Sequence, residues 1–137
     1  MILDPRQLLD LDIVGVPYKK DGRDPADSVD CYGLVRWAVA HRGIDLPPDS
    51  TEMISIMKHR RMGRLLKWPC KTEPWDVLLM AKPIDPEMDF ITHVALVVDN
   101  ENALHAESQA GGVVLTRISR CEPSIRRVVR FYLPDLP

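Results

Sequence analysis

Apolar positions in this chain follow two successive rhythms, first helical and then alternating or continuous as in strands. Leu34, Val35, Ala38 and Val39 follow the i, i+3, i+4 spacing of a helix with one buried stripe. Arg42-Gly43 supplies a basic last turn and a C′ glycine, and Ser28 or Asp30 can cap the start. Ser50 to Arg61 predicts a second helix, capped by Ser50, with Met53, Ile54, Ile56 and Met57 as its apolar residues and Gly63 at its end. Asp4 followed by Pro5 predicts a short helix to Leu11, and Gly15 to Val29 reads as a loop. Downstream, Val77–Met80, Ile91–Val98, Ala103–Ala106, Val113–Thr116 and Val128–Leu133 read as strands, with a hairpin turn at Asp99 to Asn102. Helices followed by clustered strands, without βαβ alternation, predict an α+β fold: N-terminal helices packed on an antiparallel β-sheet.

Composition narrows the class of protein. The 137 residues make a single domain, 1–137, able to bury a core without disulfides or metals. With 18 basic and 20 acidic residues the net charge is −2, so neither nucleic acid nor an anionic membrane is an expected partner. No apolar run approaches the roughly 18 residues of a membrane helix. The start, Met1-Ile2-Leu3-Asp4-Pro5, lacks a basic n-region, so the chain is expected to be cytoplasmic as synthesised. Cys31, Cys70 and Cys121 are too scattered for a disulfide framework and form no CxxC pair. No cofactor and no metal is expected, and Cys70 and Cys121 read as inert.

Cys31 is different, because it stands where a helix begins. A helix N-terminus favours a thiolate and presents backbone N–H groups to an oxyanion. His93 and His105 follow on neighbouring strands, twelve residues apart. Strand parity decides whether they can meet. A two-residue turn at Asn100-Glu101 pairs Leu96 with His105 and turns His93 to the other face. A three-residue loop at Asp99 to Glu101 pairs Ala95 with His105 and sets His93 diagonally on the same face. Catalysis therefore requires the odd loop, or a bulge. His41, in a last helical turn, and His59, in a basic run, have no comparable setting.

Asp30-Cys31-Tyr32-Gly33-Leu34-Val35, Thr92-His93-Val94-Ala95-Leu96-Val97-Val98 and Leu104-His105-Ala106 resemble three signature blocks of the NlpC/P60 cysteine peptidases. Gly15-Val16-Pro17-Tyr18 is similar to that family's Gly-x-Pro-Tyr block, so the likeness runs over roughly two thirds of the chain. The resemblance implies a papain-like fold and hydrolysis of peptide bonds in peptidoglycan stem peptides. It implies Cys31 as nucleophile, His93 as general base and acid, and His105 as the residue orienting the imidazole. It also implies that Tyr18, Asp30 and Tyr32 line the substrate site, with Asp30 facing a free amine. The resting state it implies is a thiolate–imidazolium pair, so that Cys31 alkylates below the free-thiol range of about 8.5. Two departures stand out: Tyr32 fills a place usually held by a small residue, and Lys19-Lys20-Asp21-Gly22 replaces a glycine pair. The aromatic residue after the cysteine, the small size and the missing signal resemble the phage-tail or prophage branch, which implies tail proteins as partners and the virion tail as a destination. A tail structural module with little activity, and another thiol amidase or acyltransferase, are the alternative expectations.

Overall fold

The computed structural model describes residues 1–48, 61–81 and 91–135. A 3-10 turn over Pro5–Leu11 follows Asp4, whose carboxylate accepts the Arg6 N–H (3.0 Å). The expected loop contains a small antiparallel hairpin, β1 (Arg23–Asp24) and β2 (Ser28–Val29). Helix α1 (Cys31–Ala40) begins directly after Asp30, and Gly43 receives its end with φ 86°. The helix expected over Ser50–Arg61, and His59 with it, lies outside the described residues apart from Arg61.

Six strands form one antiparallel sheet in the order β3 (Gly63–Lys67), β8 (Ile125–Phe131), β4 (Val77–Met80), β5 (His93–Val97), β6 (Asn102–Glu107), β7 (Gly112–Arg117). The α+β expectation is met, and the chain order of the strands explains the packing. Strand β4 is buried on both faces, which is why its sequence is an unbroken apolar run. Val77, Leu79, Val94, Leu96 and Leu104 meet the α1 stripe on one face. Leu78, Ala95, Val97, Ala103 and Val128 meet a short helix α2 (Ile118–Cys121) on the other. Beside β4, the Asp76 carboxylate is 1% exposed and accepts two hydrogen bonds from Arg130 of β8 (3.1 and 2.9 Å). Among the described residues no helix is long and apolar enough to cross a membrane.

Besides the β1–β2 hairpin, β3 and α2 were not expected, and β8 begins early. Strand β3 starts at Gly63, which the sequence offered as a helix end. Its partner β8 approaches so closely that a Cβ at Gly63 would collide with the Arg130 carbonyl oxygen. Strand β8 also begins earlier than its apolar run, because Ile125 pairs with Met80 and Arg127 with both Leu79 and Lys67, with a register shift between them. Helix α2 has four residues, too few to show a periodicity.

The start of α1 is fixed from outside. A Cβ at Gly33 would lie 2.0 Å from Gly22 O, so the loop backbone rests directly on the first helical turn. Glycine-to-alanine exchange inside a helix is normally stabilising by about 1 kcal/mol. Here Gly33→Ala is expected to destabilise by about 1–3 kcal/mol through forced displacement of that backbone. Urea unfolding checks the sign; a stabilised variant would show that the loop is free to move away.

Candidate active site

Asp30 places the thiol. Its Oδ1 accepts the Gly33 N–H (2.7 Å) and Arg23 Nη1 (2.6 Å), and its Oδ2 accepts the Asp21 N–H (3.0 Å). The cap sets Cys31 as the first helical residue, with its sulfur toward the backbone N–H groups of Val94, Tyr32 and Cys31 itself. Val94 adjoins His93, so the thiol sits against the start of β5.

The β5–β6 hairpin has the odd loop. Leu96 pairs with Leu104 and Val97 with Ala103, and Val98 N–H donates to Asn102 O (3.0 Å). Asp99, Asn100 and Glu101 form the turn, with Asp99 Oδ1 accepting the Glu101 and Asn102 N–H groups (2.9 and 2.8 Å). His93 and His105 consequently share a face. Their rings meet edge to face, 5.0 Å between centroids, with His93 Nε2 and His105 Nδ1 2.8 Å apart. The ladder ends at Leu96–Leu104, although both strands continue, and the histidines bridge the split instead. Beyond them His105 Nε2 lies 2.9 Å from Thr116 Oγ1 and 4.0 Å from Glu107 Oε2.

Thiol and imidazoles come from opposite faces of the sheet. Cys31 packs with the α1 cluster, whereas the histidines bound a cavity of about 510 Å³ on the α2 side, with Glu107, Thr116, Arg120 and Cys121. They converge where β5 begins and its pairing to β6 is open. Among the described residues neither imidazole is hydrogen-bonded to the thiol. Such contacts commonly close only when substrate binds.

Electrostatics differ from the expected resting state. Burial pushes the Cys31 thiol up, and the Asp30 charge adds to this against the pull of the N–H groups. Burial, with His105 beside it, pushes His93 down to about 4. His105 is lowered by burial too. Both shifts favour the neutral forms over a thiolate–imidazolium pair, because both groups lie beneath the surface where charge is poorly solvated.

Of the other expected residues, Tyr18 is half-buried beside the thiol, and burial followed by the Cys31 charge pushes its hydroxyl up. A strap brings it there: Gly15 N–H donates to Val113 O (2.8 Å) and Tyr18 N–H to Gly111 O (3.0 Å). Tyr32, expected to line the substrate site, is turned inward. It is 2% exposed, its hydroxyl donates to Pro47 O, and Arg23 stacks over its ring at 5.3 Å. Asp30 stands near the thiol, but its carboxylate is engaged by three donors of the chain itself and does not stand open to an amine. Arg23 and Thr116 were missed. No local signal marks Arg23, while register across the β6–β7 turn would have placed Thr116 on the His105 face.

The fold is an α+β domain: an antiparallel sheet with a cysteine-bearing helix packed on it and a histidine pair at its split. The NlpC/P60 family pattern matches residues 15–129, and the chain belongs to the NlpC/P60 family. Solved structures share the fold. The NlpC/p60 domain of the peptidoglycan hydrolase SagA is 17% identical, with a TM-score of 0.67 over 94% of this chain and 100% of that one. The peptidoglycan hydrolase RipB from Mycobacterium tuberculosis is 23% identical (TM-score 0.62, 96% and 68%). NlpC1 from Trichomonas vaginalis is 22% identical (TM-score 0.71), and the chain, 96% covered, spans 44% of its length. No curated protein sequence matches. These comparisons support the family and its cell-wall hydrolases; they do not support a phage-tail or prophage branch.

Two titrations follow. Alkylation of Cys31 by iodoacetamide is expected to accelerate only above the ordinary thiol range, read by mass spectrometry across pH; an inflection below it would restore the ion pair. His93 binds its proton less readily folded than unfolded between about 4 and 6.5, so its contribution is full above 6.5 and lost as pH falls toward 4. The fall in unfolding free energy over that window is expected to be shallower in His93→Gln; an equal slope would contradict the buried, neutral ring.

Proposed function

We propose that the protein is a cysteine peptidase that hydrolyses peptide bonds in peptidoglycan stem peptides. Cys31 is the nucleophile, His93 the general base and acid, and His105 the group that orients His93. One observation carries the reading: His105 Nδ1 occupies His93 Nε2 at 2.8 Å, which leaves Nδ1 as the ring nitrogen available to the thiol.

In this reading the Cys31 proton passes to His93 Nδ1 as sulfur attacks the peptide carbonyl. The thiolate therefore forms in concert with bond formation, which suits a thiol that is neutral at rest. Backbone N–H groups at the start of α1 receive the oxyanion. His93 then gives its proton to the departing amine, and a water that it activates hydrolyses the thioester. Tyr18, beside the sulfur, contacts the substrate. The substrate class is supported by family membership and by the names of SagA and RipB as peptidoglycan hydrolases. Attachment to a phage tail, with synthesis in the cytoplasm, belongs to the proposal only through the sequence likeness at Tyr32, and immunoblotting of purified particles tests it.

Purified peptidoglycan digested with the protein is expected to gain new peptide amino groups, detected by mass spectrometry. Cys31→Ala and His93→Ala are each expected to lower the yield by roughly a thousandfold or more. Equal products from the protein and from Cys31→Ala would end the peptidase reading. Cleavage at the sugar–peptide amide would move the assignment to an amidase.

A further inference from the structure

Each neutral imidazole has one N–H donor and one bare nitrogen. The chain His93–His105–Thr116 therefore has two polarities. In the first, His93 Nε2–H donates to His105 Nδ1, and His105 Nε2–H donates to Thr116 Oγ1. His93 Nδ1 is then bare and can take a proton. In the second, the Thr116 hydroxyl donates to His105 Nε2, His105 Nδ1–H donates to His93 Nε2, and His93 Nδ1 already holds a proton. The second arrangement has no base to offer a thiol.

We propose that Thr116 is a positioning residue that, by accepting from His105 Nε2, sets the tautomer of both histidines and keeps His93 Nδ1 bare. The proposal rests on the cysteine-peptidase reading for its consequence, but the tautomers themselves do not. A hydroxyl alone can donate or accept. Glu107 Oε2, 4.0 Å from the same Nε2 though 41% exposed, favours the first polarity, since a carboxylate favours an N–H and disfavours a lone pair. The backbone holds the geometry: Ala103 pairs with Thr116 and His105 with Val114, so Thr116 lies diagonal to His105 on one face of a ladder paired over six positions. His105 is 5% exposed, leaving its ring little access to water as a substitute acceptor. Since burial keeps both rings neutral near neutral pH, the tautomer, and not the charge, decides whether His93 can act.

Long-range proton–nitrogen NMR of the 15N-labelled protein reads each tautomer without substrate. Both histidines are expected to carry the proton on Nε2. In Thr116→Val the proton population of both rings is expected to shift toward Nδ1. Turnover of a soluble stem peptide is expected to fall about tenfold in kcat, the worth of one hydrogen bond, with KM changed less than about twofold. Thr116→Ser is expected to restore tautomers and kcat together. A proton on His105 Nδ1 in the unaltered protein, or unchanged tautomers in Thr116→Val, would overturn the proposal whatever the activity. Responsive tautomers in a protein that cleaves no stem peptide would leave the positioning intact and reject the proposed function.

Discussion

The site depends on a carboxylate that never needs to touch a substrate. Asp30 draws together the first turn of α1, the Asp21 backbone and the Arg23 guanidinium. Without that convergence the chain has no fixed residue at which the helix begins, and a shift of one position would rotate Cys31 by about 100°. The same carboxylate opposes the chemistry it organises, because its charge pushes both the Cys31 thiol and the Tyr18 hydroxyl up. Arg23 pairs with Asp30 and lies over Tyr32. An aromatic residue after the cysteine is thus explained by packing: it supports the arginine that holds the cap.

The second determinant is the incomplete hairpin. Where β5 and β6 part, backbone pairing is exchanged for a side-chain hydrogen bond between two imidazoles. The opening lets groups from opposite faces of the sheet converge, which a continuous ladder would prevent. It also keeps the imidazoles shielded on the α2 side while the sulfur remains in the α1 layer. Burial then has a double effect. It disfavours charge on the thiol and both imidazoles, and it strengthens the polar interactions among groups shielded from water.

Much of this was legible in the sequence. The α1 stripe, the Asp30 cap and the central strands follow from periodicity, since each buries one stripe or two full faces. The meeting of His93 with His105 was reducible to parity, and the loop at Asp99–Glu101 decided it. What escaped depends on distant pairing. Strand β3 and the arginine-rich start of β8 are strands because they have each other, not because of their own composition. Tyr32 was expected at the surface of the site because of its neighbour; helical rotation puts adjacent residues on different faces, and Tyr32 turns inward where Pro47 accepts its hydroxyl. The expected charge state rested on helix-start stabilisation of a thiolate, which is local, whereas the burial that pushes the Cys31 thiol up depends on the whole fold.

The three-residue turn between β5 and β6 has a consequence for how this domain can vary over evolutionary time. Its side chains are exposed or half-buried, and Asp99 is the side chain that ties the turn, beside the backbone bonds from Val98 N–H to Asn102 O and from Ile118 N–H to Glu101 O. Substitutions there should be cheap, yet a single inserted or deleted residue moves every downstream position of β6 to the other face. A family built on this plan can therefore drift freely in the spelling of the loop while its length stays under selection. Length is the inherited trait at this turn, and it is invisible to any comparison that scores residue identity alone.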